Sequence, residues 1–144
     1  MSEENKAIAR RWADIWNQGN LDLVDEIYAP DYVNHDLTMP DDVRGVEGVR
    51  EFYSKYLNTF SDAEITIEDQ LAEGDKVVTR WTARGTHTGE LMGVPPSGNR
   101  VEVAGITISR IEGGKVAEEW DSYDALGLMQ QIGAIPEPGE RAGN

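Results

Sequence analysis

Apolar residues change their spacing once along this chain, and the change divides it in two. Up to Phe60 they recur at helical intervals, and beyond it they alternate. Ile8, Trp12, Ile15 and Trp16 form one stripe, which predicts an amphipathic helix over residues 3–18, capped by Ser2 and with Glu3 and Glu4 at its positive end. Gly19 ends it. Asn20 caps a second short helix carrying Leu21, Leu23, Val24 and Ile27, which Pro30 stops. Tyr32 to Asp36 reads as a brief extended segment, followed by a polar loop through Pro40, Asp41 and Asp42. A third helix is expected over about 46–58, with Val49, Phe52, Tyr53, Tyr56 and Leu57 on its apolar side.

The alternating half predicts four strands. Ile65, Ile67 and Leu71 face one way along the first, against Glu64, Thr66, Glu68 and Gln70. Asp69 falls on the apolar side and reads as a strand-end polar contact in preference to a buried partner for an arginine. Glu73-Gly74-Asp75 turns the chain into a second strand, over about 76–86. A third is expected over 100–111, and Gly113-Gly114 leads into the fourth, over 115–122. The loop 89–99 holds Gly93, Pro95, Pro96 and Gly98, too many breakers for a strand interior, and is expected to form a rim or lid. Asp124 caps a last short helix through Ile132. Residues 136–144, PEPGERAGN, are expected to be a flexible tail, which leaves residues 1–135 as a single domain. Helices first and an antiparallel meander afterwards argue for an α+β fold. A sheet of this length with helices on one face would curl around them and enclose a cavity.

Charge and composition narrow the functional classes. Among 144 residues, 13 are basic and 27 acidic, a net charge of −14 that repels nucleic acid and anionic lipid. The hydrophilic start and the lack of a long apolar run argue against a signal peptide or membrane segment, so a cytoplasmic location is expected. There is no cysteine, hence no thiolate chemistry, and two histidines are too few to argue for a metal site. No phosphate-binding glycine loop or nucleophile elbow is present.

The remaining class is acid/base chemistry, and Asp121 in VAEEWDSYD leads the candidates. A carboxylate at a strand end either caps the next element or sits at the floor of a pocket, where burial raises its pKa. Its cross-strand neighbour depends on the hairpin loop. A loop of Gly113 and Gly114 alone sets Ile106 opposite Asp121; a loop that adds Glu112 sets Gly105 opposite, with Thr107 nearby. His35 follows Asn34 in the extended segment, where side chains enter a cavity. His87, at the end of the second strand, reads either as a backbone-bonded strand end or as a ligand contact. Arg80 lies either on a solvated face or in the cavity as an anion or carbonyl clamp. Trp81, Trp120 and Tyr123 are candidate walls of the site.

The blocks IARRWADIWNQGNLDLVDEIYAPDYVNHD, GDKVVTRWTARGTHTGELMGVPPSGN and ITISRIEGGKVAEEWDSYDALGLMQQIG together resemble the SnoaL-like polyketide cyclases, or ester cyclases, of the nuclear transport factor 2-like superfamily. The resemblance covers about residues 5–133. It implies a cystatin-like α+β roll, a cone-shaped curved antiparallel sheet wrapped around N-terminal helices and a deep apolar pocket. It also implies an intramolecular aldol ring closure without metal or cofactor, with Asp121 as the acid/base and the Asn34-His35 segment as the preceding polar position. The chain departs from the cyclases at the third strand, where Gly105 and Thr107 stand in place of longer polar side chains.

Two relatives give contrasts. Against epoxide-hydrolase-like proteins, Arg80 and Asp121 resemble two members of an aspartate–arginine–aspartate set, with Thr82 at the third position. Against ketosteroid-isomerase-like enzymes, Asp36 lies close to the position of the base, though alternation sets it opposite His35. The expected function is therefore acid/base chemistry alpha to a carbonyl of an apolar small molecule. Asp121 takes the proton, His35 and Asn34 orient the carbonyl, Arg80 supports them, and Trp81, His87, Thr107, Trp120 and Tyr123 contact the substrate. The alternative is a non-catalytic binding module of the same fold. A homodimer through the outer sheet face is expected.

Overall fold

The computed structural model describes residues 2–36, 42–91 and 93–134. Its helices are α1 (Ser2–Ala9), α2 (Trp12–Gln18), α3 (Val24–Ile27), α4 (Gly45–Thr59) and α5 (Ala125–Gln131), with a 3₁₀ turn at Leu21–Leu23 before α3. Its strands are β1 (Tyr28–Asp36), β2 (Val43–Arg44), β3 (Glu64–Glu73), β4 (Lys76–Thr86), β5 (Arg100–Glu112) and β6 (Lys115–Tyr123). They form one sheet in the order β2-β1-β6-β5-β4-β3. The mixed α+β class and the curved sheet over N-terminal helices agree with the sequence.

Four local features differ from expectation, one of them the irregularity between Ile67 and Asp69 that turns Leu71 from the side of Ile65 and Ile67 to the outer face; the other three bear on the site. The first helix is split, because Arg11 N bonds to Ile8 O and Asp14 N to Arg11 O, three-residue closures that tighten the turn at Arg10 and Arg11. Trp12 and Ile15 nevertheless keep their inward phase and are buried. The brief extended segment is a full strand, and β1 runs parallel to β6, so the sheet is not antiparallel throughout. The irregularity in that pairing between Tyr28 and Val33 spans Pro30, which has no N–H to donate to a ladder.

The last difference sets the register of the site. Gly113 and Gly114 do form the β5–β6 loop, both at positive φ, with Glu112 paired to Lys115. Ile111 then pairs with Val116 but Arg110 with Glu118, so Ala117 is an extra residue on β6. The bulge places Thr107 opposite Asp121. Neither expected register, Ile106 or Gly105, is the one adopted.

The core lies between the helices and the concave face. Ile15, Val24, Ile27, Val49 and Tyr53 pack with Val77, Ile111 and Val116 in one cluster. Tyr56, Phe60, Val101, Val103, Leu128 and Ile132 form a second cluster with Leu91 from the loop after β4. That loop is stapled down as part of the wall: Thr88 N and Gly89 N bond to Thr59 O at the end of α4, and Gly98 N bonds to His87 O. Asp124 caps α5, accepting from Gly127 N at 2.8 Å. Pro40, Asp41 and the tail 136–144 lie outside the described residues. Among those described, no helix is long and apolar enough to cross a membrane.

The staple at Gly89 leaves no room for a side chain. A Cβ there would strike Asn58 O and lie 3.0 Å from both Asn58 C and Thr59 Cα, all of them backbone atoms. Gly89→Ala is therefore expected to cost about 1–3 kcal/mol, read as a lower denaturant midpoint. An unchanged midpoint would contradict the tight approach of this loop to α4.

Candidate functional site

Strand alternation and the Ala117 bulge together decide which side chains reach the concave face. From β6 they are Glu119, Asp121 and Tyr123; from β5, Val101, Val103 and Thr107; from β4, Trp81 and Ala83; from β1, Tyr32, Asn34 and Asp36. Trp12 and Trp16 of α2, with Phe52, Tyr53 and Tyr56 of α4, close the opposite wall. The cavity measures about 170 Å³. That is near the ~150 Å³ of an engineered cavity that takes up benzene, so its floor accommodates roughly one ring of a ligand.

Asp121 sits in a directed network. Thr107 Oγ1 donates to Asp121 Oδ1 at 2.5 Å, and Asn34 Nδ2 donates to Asp121 Oδ2 at 2.5 Å. Trp81 Nε1 in turn donates to Thr107 Oγ1 at 3.0 Å. An indole N–H can only donate, so the Thr107 hydroxyl must turn its own hydrogen toward Asp121. Burial pushes the Asp121 carboxyl above its usual range; the bonds from Thr107 and Asn34 pull it back, and the nearby charge of Asp36 pushes it up again.

Trp81 can lie against β5 because residue 105 is glycine. A Cβ there would fall 2.7 Å from Trp81 Cη2 and 2.8 Å from Tyr123 Cβ. Trp81 also meets Trp12 edge to face at 5.7 Å between centroids. The indole thus fills the space that a long side chain at 105 would occupy.

A second buried carboxyl, which the sequence reading missed, lines the same cavity. Glu119 is 4% exposed. Its Oε1 accepts from Tyr32 OH at 2.8 Å, and its Oε2 lies 2.5 Å from Ser109 Oγ. Asn34 Nδ2 also donates to Tyr32 OH, at 2.9 Å, so the two carboxyls are joined through Asn34 and Tyr32. Burial, reinforced by the charge of Asp121, raises Glu119 to about 8. The signal was present in the sequence: Glu119 and Asp121 are two apart on one strand and therefore share a face. The hydroxyls of Tyr28 and Tyr53, 2.7 Å apart, also belong to the cavity lining, and burial pushes both well above the ordinary phenol value.

Several expected site residues lie elsewhere. His35 points out of the convex face, with Nε2 2.7 Å from Glu118 Oε2 and Nδ1 3.2 Å from Asp42 Oδ2. It stacks on Trp120 at 5.6 Å, and Trp120 also carries Lys76 over its ring. This corrects the expectation that His35 shares the cavity with Asp121. Asn34 sets the inward phase of β1, so Asp36 lines the cavity and His35 cannot. Arg80 is exposed on the outer face, paired across strands with Asp69 and Ile106, which corrects its reading as a cavity clamp. Asp69 is itself exposed and accepts from Gln70 N. His87 is fully buried but away from the cavity lining, where its Nδ1 accepts from Ser97 N at 3.1 Å. Asn34, Trp81, Thr107, Asp121 and Tyr123 all line the cavity. No group of three His, Cys, Asp or Glu side chains able to hold a metal occurs among the described residues.

Comparison with known proteins gives a consistent match. The family model described as SnoaL-like polyketide cyclase matches residues 6–132. The nogalonic acid methyl ester cyclase of Streptomyces nogalater is 30% identical over 122 residues, which cover 82% of this chain and 89% of that protein. Among solved structures, TsrD from Streptomyces laurentii is 34% identical with a TM-score of 0.83, over 92% of this chain and 97% of that one. A protein from Catenulispora acidiphila with a ketosteroid isomerase-like fold aligns with a TM-score of 0.76 over 89% of this chain and 93% of that one; at 20% identity it speaks to the fold alone.

Gly105→Ala tests the indole's place in the network. The added methyl should drive Trp81 off Thr107, at a cost of about 1–3 kcal/mol and with a changed near-ultraviolet circular dichroism signal. A variant with wild-type stability and an unaltered aromatic signal would show that Trp81 does not depend on this glycine.

Proposed function

Because the chain belongs to the SnoaL-like polyketide cyclase family, we propose that it is a cofactor-independent cyclase acting on a polyketide-like small molecule by acid/base chemistry alpha to a carbonyl. The observation that carries this reading is Asp121, a buried carboxyl held by two directed donors in an apolar, aromatic cavity. Its ionised form takes a proton from the carbon between or beside carbonyl groups, and the electron pair moves onto the carbonyl oxygen as an enolate. The enolate carbon then attacks a second carbonyl of the same molecule, forming the ring bond. The resulting alkoxide takes the proton back from Asp121, so the step is an isomerisation with no net loss of atoms.

Two buried polar atoms support a substrate of this kind. Trp12 Nε1, a donor, and Asn34 Oδ1, an acceptor, belong to residues lining the cavity and have no partner among the described residues. They suit a ligand that offers a carbonyl oxygen to one and a hydroxyl or enol to the other. No histidine joins Asp121 in the cavity; the polar groups beside it are Asn34, Thr107, Asp36 and Glu119. With Arg80 on the outer face, the epoxide-hydrolase set is not assembled.

The outer face supports self-association. Leu71, Val78, Ile108 and Trp120 are cross-strand neighbours in one row, and Leu71 and Ile106 are 66% and 46% exposed. We infer that this face packs against a second copy.

Asp121→Asn keeps the side chain's shape and removes the base, so turnover of a polyketide methyl ester should fall by about 10² to 10⁴-fold with the fold intact by circular dichroism. Activity within a few-fold of wild type would rule out Asp121 as the base. In solution the chain should show the mass of a dimer, and Ile106→Lys that of a monomer, by light scattering. A monomeric wild-type chain at micromolar concentration would overturn the inferred interface.

A further inference from the structure

The hydrogen-bond directions at the cavity floor treat the two carboxyls differently. Both oxygens of Asp121 face donors with a fixed sense: the Thr107 hydroxyl, committed by Trp81 Nε1, and the Asn34 amide nitrogen. Turning the Asn34 amide over would set its carbonyl against Asp121 Oδ2 and require a proton on Asp121 itself. Tyr32, which accepts from Asn34, has its hydrogen left for Glu119 Oε1. Glu119 Oε2, by contrast, faces only the Ser109 hydroxyl, a rotor that can donate or accept.

Charge points the same way. The groups packed around Glu119 from other elements are Tyr28 and Tyr32 of β1 and Tyr53 of α4, with Asp121 and Asp36 as the nearby acids. The one basic side chain lining the cavity among the described residues, Arg84, bonds instead to Thr66 and Glu102. Neighbouring carboxyls without a cation do not both ionise readily.

We propose that Glu119 is a proton-holding positioning residue: it stays protonated, donating from Oε2 to Ser109, so that the single charge of the pair resides on Asp121. Glu119 then acts through Tyr32 and Asn34 rather than on substrate, and its ionisation sets the alkaline limit of the site. The use of that charge rests on the function proposed above; the location of the proton does not, and it is testable without substrate.

The sign of the pH dependence comes from linkage. A carboxyl raised by folding contributes stability that is fully present below its unfolded value of 4.5 and is lost as pH rises through about 8. Glu119→Gln mimics the neutral acid, keeping an acceptor for Tyr32 and a donor for Ser109. The wild type should therefore lose thermal stability across that window, and E119Q should show a flatter profile and exceed the wild type in alkali. E119Q should also remove the alkaline limb of the pH–rate profile. In the wild type, without any substitution, infrared difference spectra should show the carbonyl band of a neutral carboxylic acid at pH 7 that disappears by pH 10. A wild-type spectrum without such a band, or an E119Q profile parallel to wild type across the window, would overturn the proposal. If E119Q behaves as expected but D121N stays active, the proton is correctly placed and the function is not.

Discussion

Two carboxyl groups buried side by side, neither of them ion-paired among the described residues, are the constraint on which the rest of this structure depends. Glu119 and Asp121 project from one face of β6 into a cavity whose other walls are aromatic. Such a pair is tolerated only where directed donors replace the lost water, and those donors come from β1 and β5, backed by Trp81 of β4. The bulge at Ala117 brings Thr107 opposite Asp121, and the inward phase of β1 brings Asn34 and Tyr32 alongside. Gly105 admits the indole that fixes the direction of the Thr107 hydroxyl. A change in strand phase or register would leave a buried acid facing hydrocarbon.

The same constraint bears on the acid/base role proposed for the cavity. A desolvated carboxylate is a stronger base than one in water, and the walls here keep it desolvated. Its bonds to Thr107 and Asn34 limit how far its pKa climbs, so it can still give up and regain a proton. Family membership makes a cyclisation the natural reaction to propose; the geometry is the reason that Asp121, rather than another carboxyl, is proposed to serve it.

Much of the fold was legible because it follows from spacing. The apolar stripe of α4 and the alternation along β4 appear where the residues predict them, and Asp124 caps the last helix as its position suggests, whereas the register shift between Ile67 and Asp69 turns Leu71 away from Ile65 and Ile67 to the outer face. The features that escaped are those that no local pattern encodes. Glu112–Lys115 pairing was readable from the two glycines, but the extra residue at Ala117 is set by packing of Val116 and Ala117 in the core, both of them buried. His35 and Asp36 are consecutive, and only the pairing of β1 with β6 decides which of them enters the cavity. Glu119 was hidden by its company: in an acidic chain, one more glutamate beside the exposed-face Glu118 reads as surface charge. Trp120 and Arg80 were drawn to the site by their chemistry, although their phase on β6 and β4 turns them to the convex face.

The most direct test is a carboxyl carbon-13 NMR titration of the wild-type protein with Asp121 and Glu119 assigned. The account predicts that both titrate above the ordinary carboxylate range, that Asp121 ionises first, and that Glu119 follows near 8. If both groups finish ionising within the ordinary range, near 3.8 and 4.5, the cavity holds two solvated carboxylates, and the account of a single buried charge is wrong.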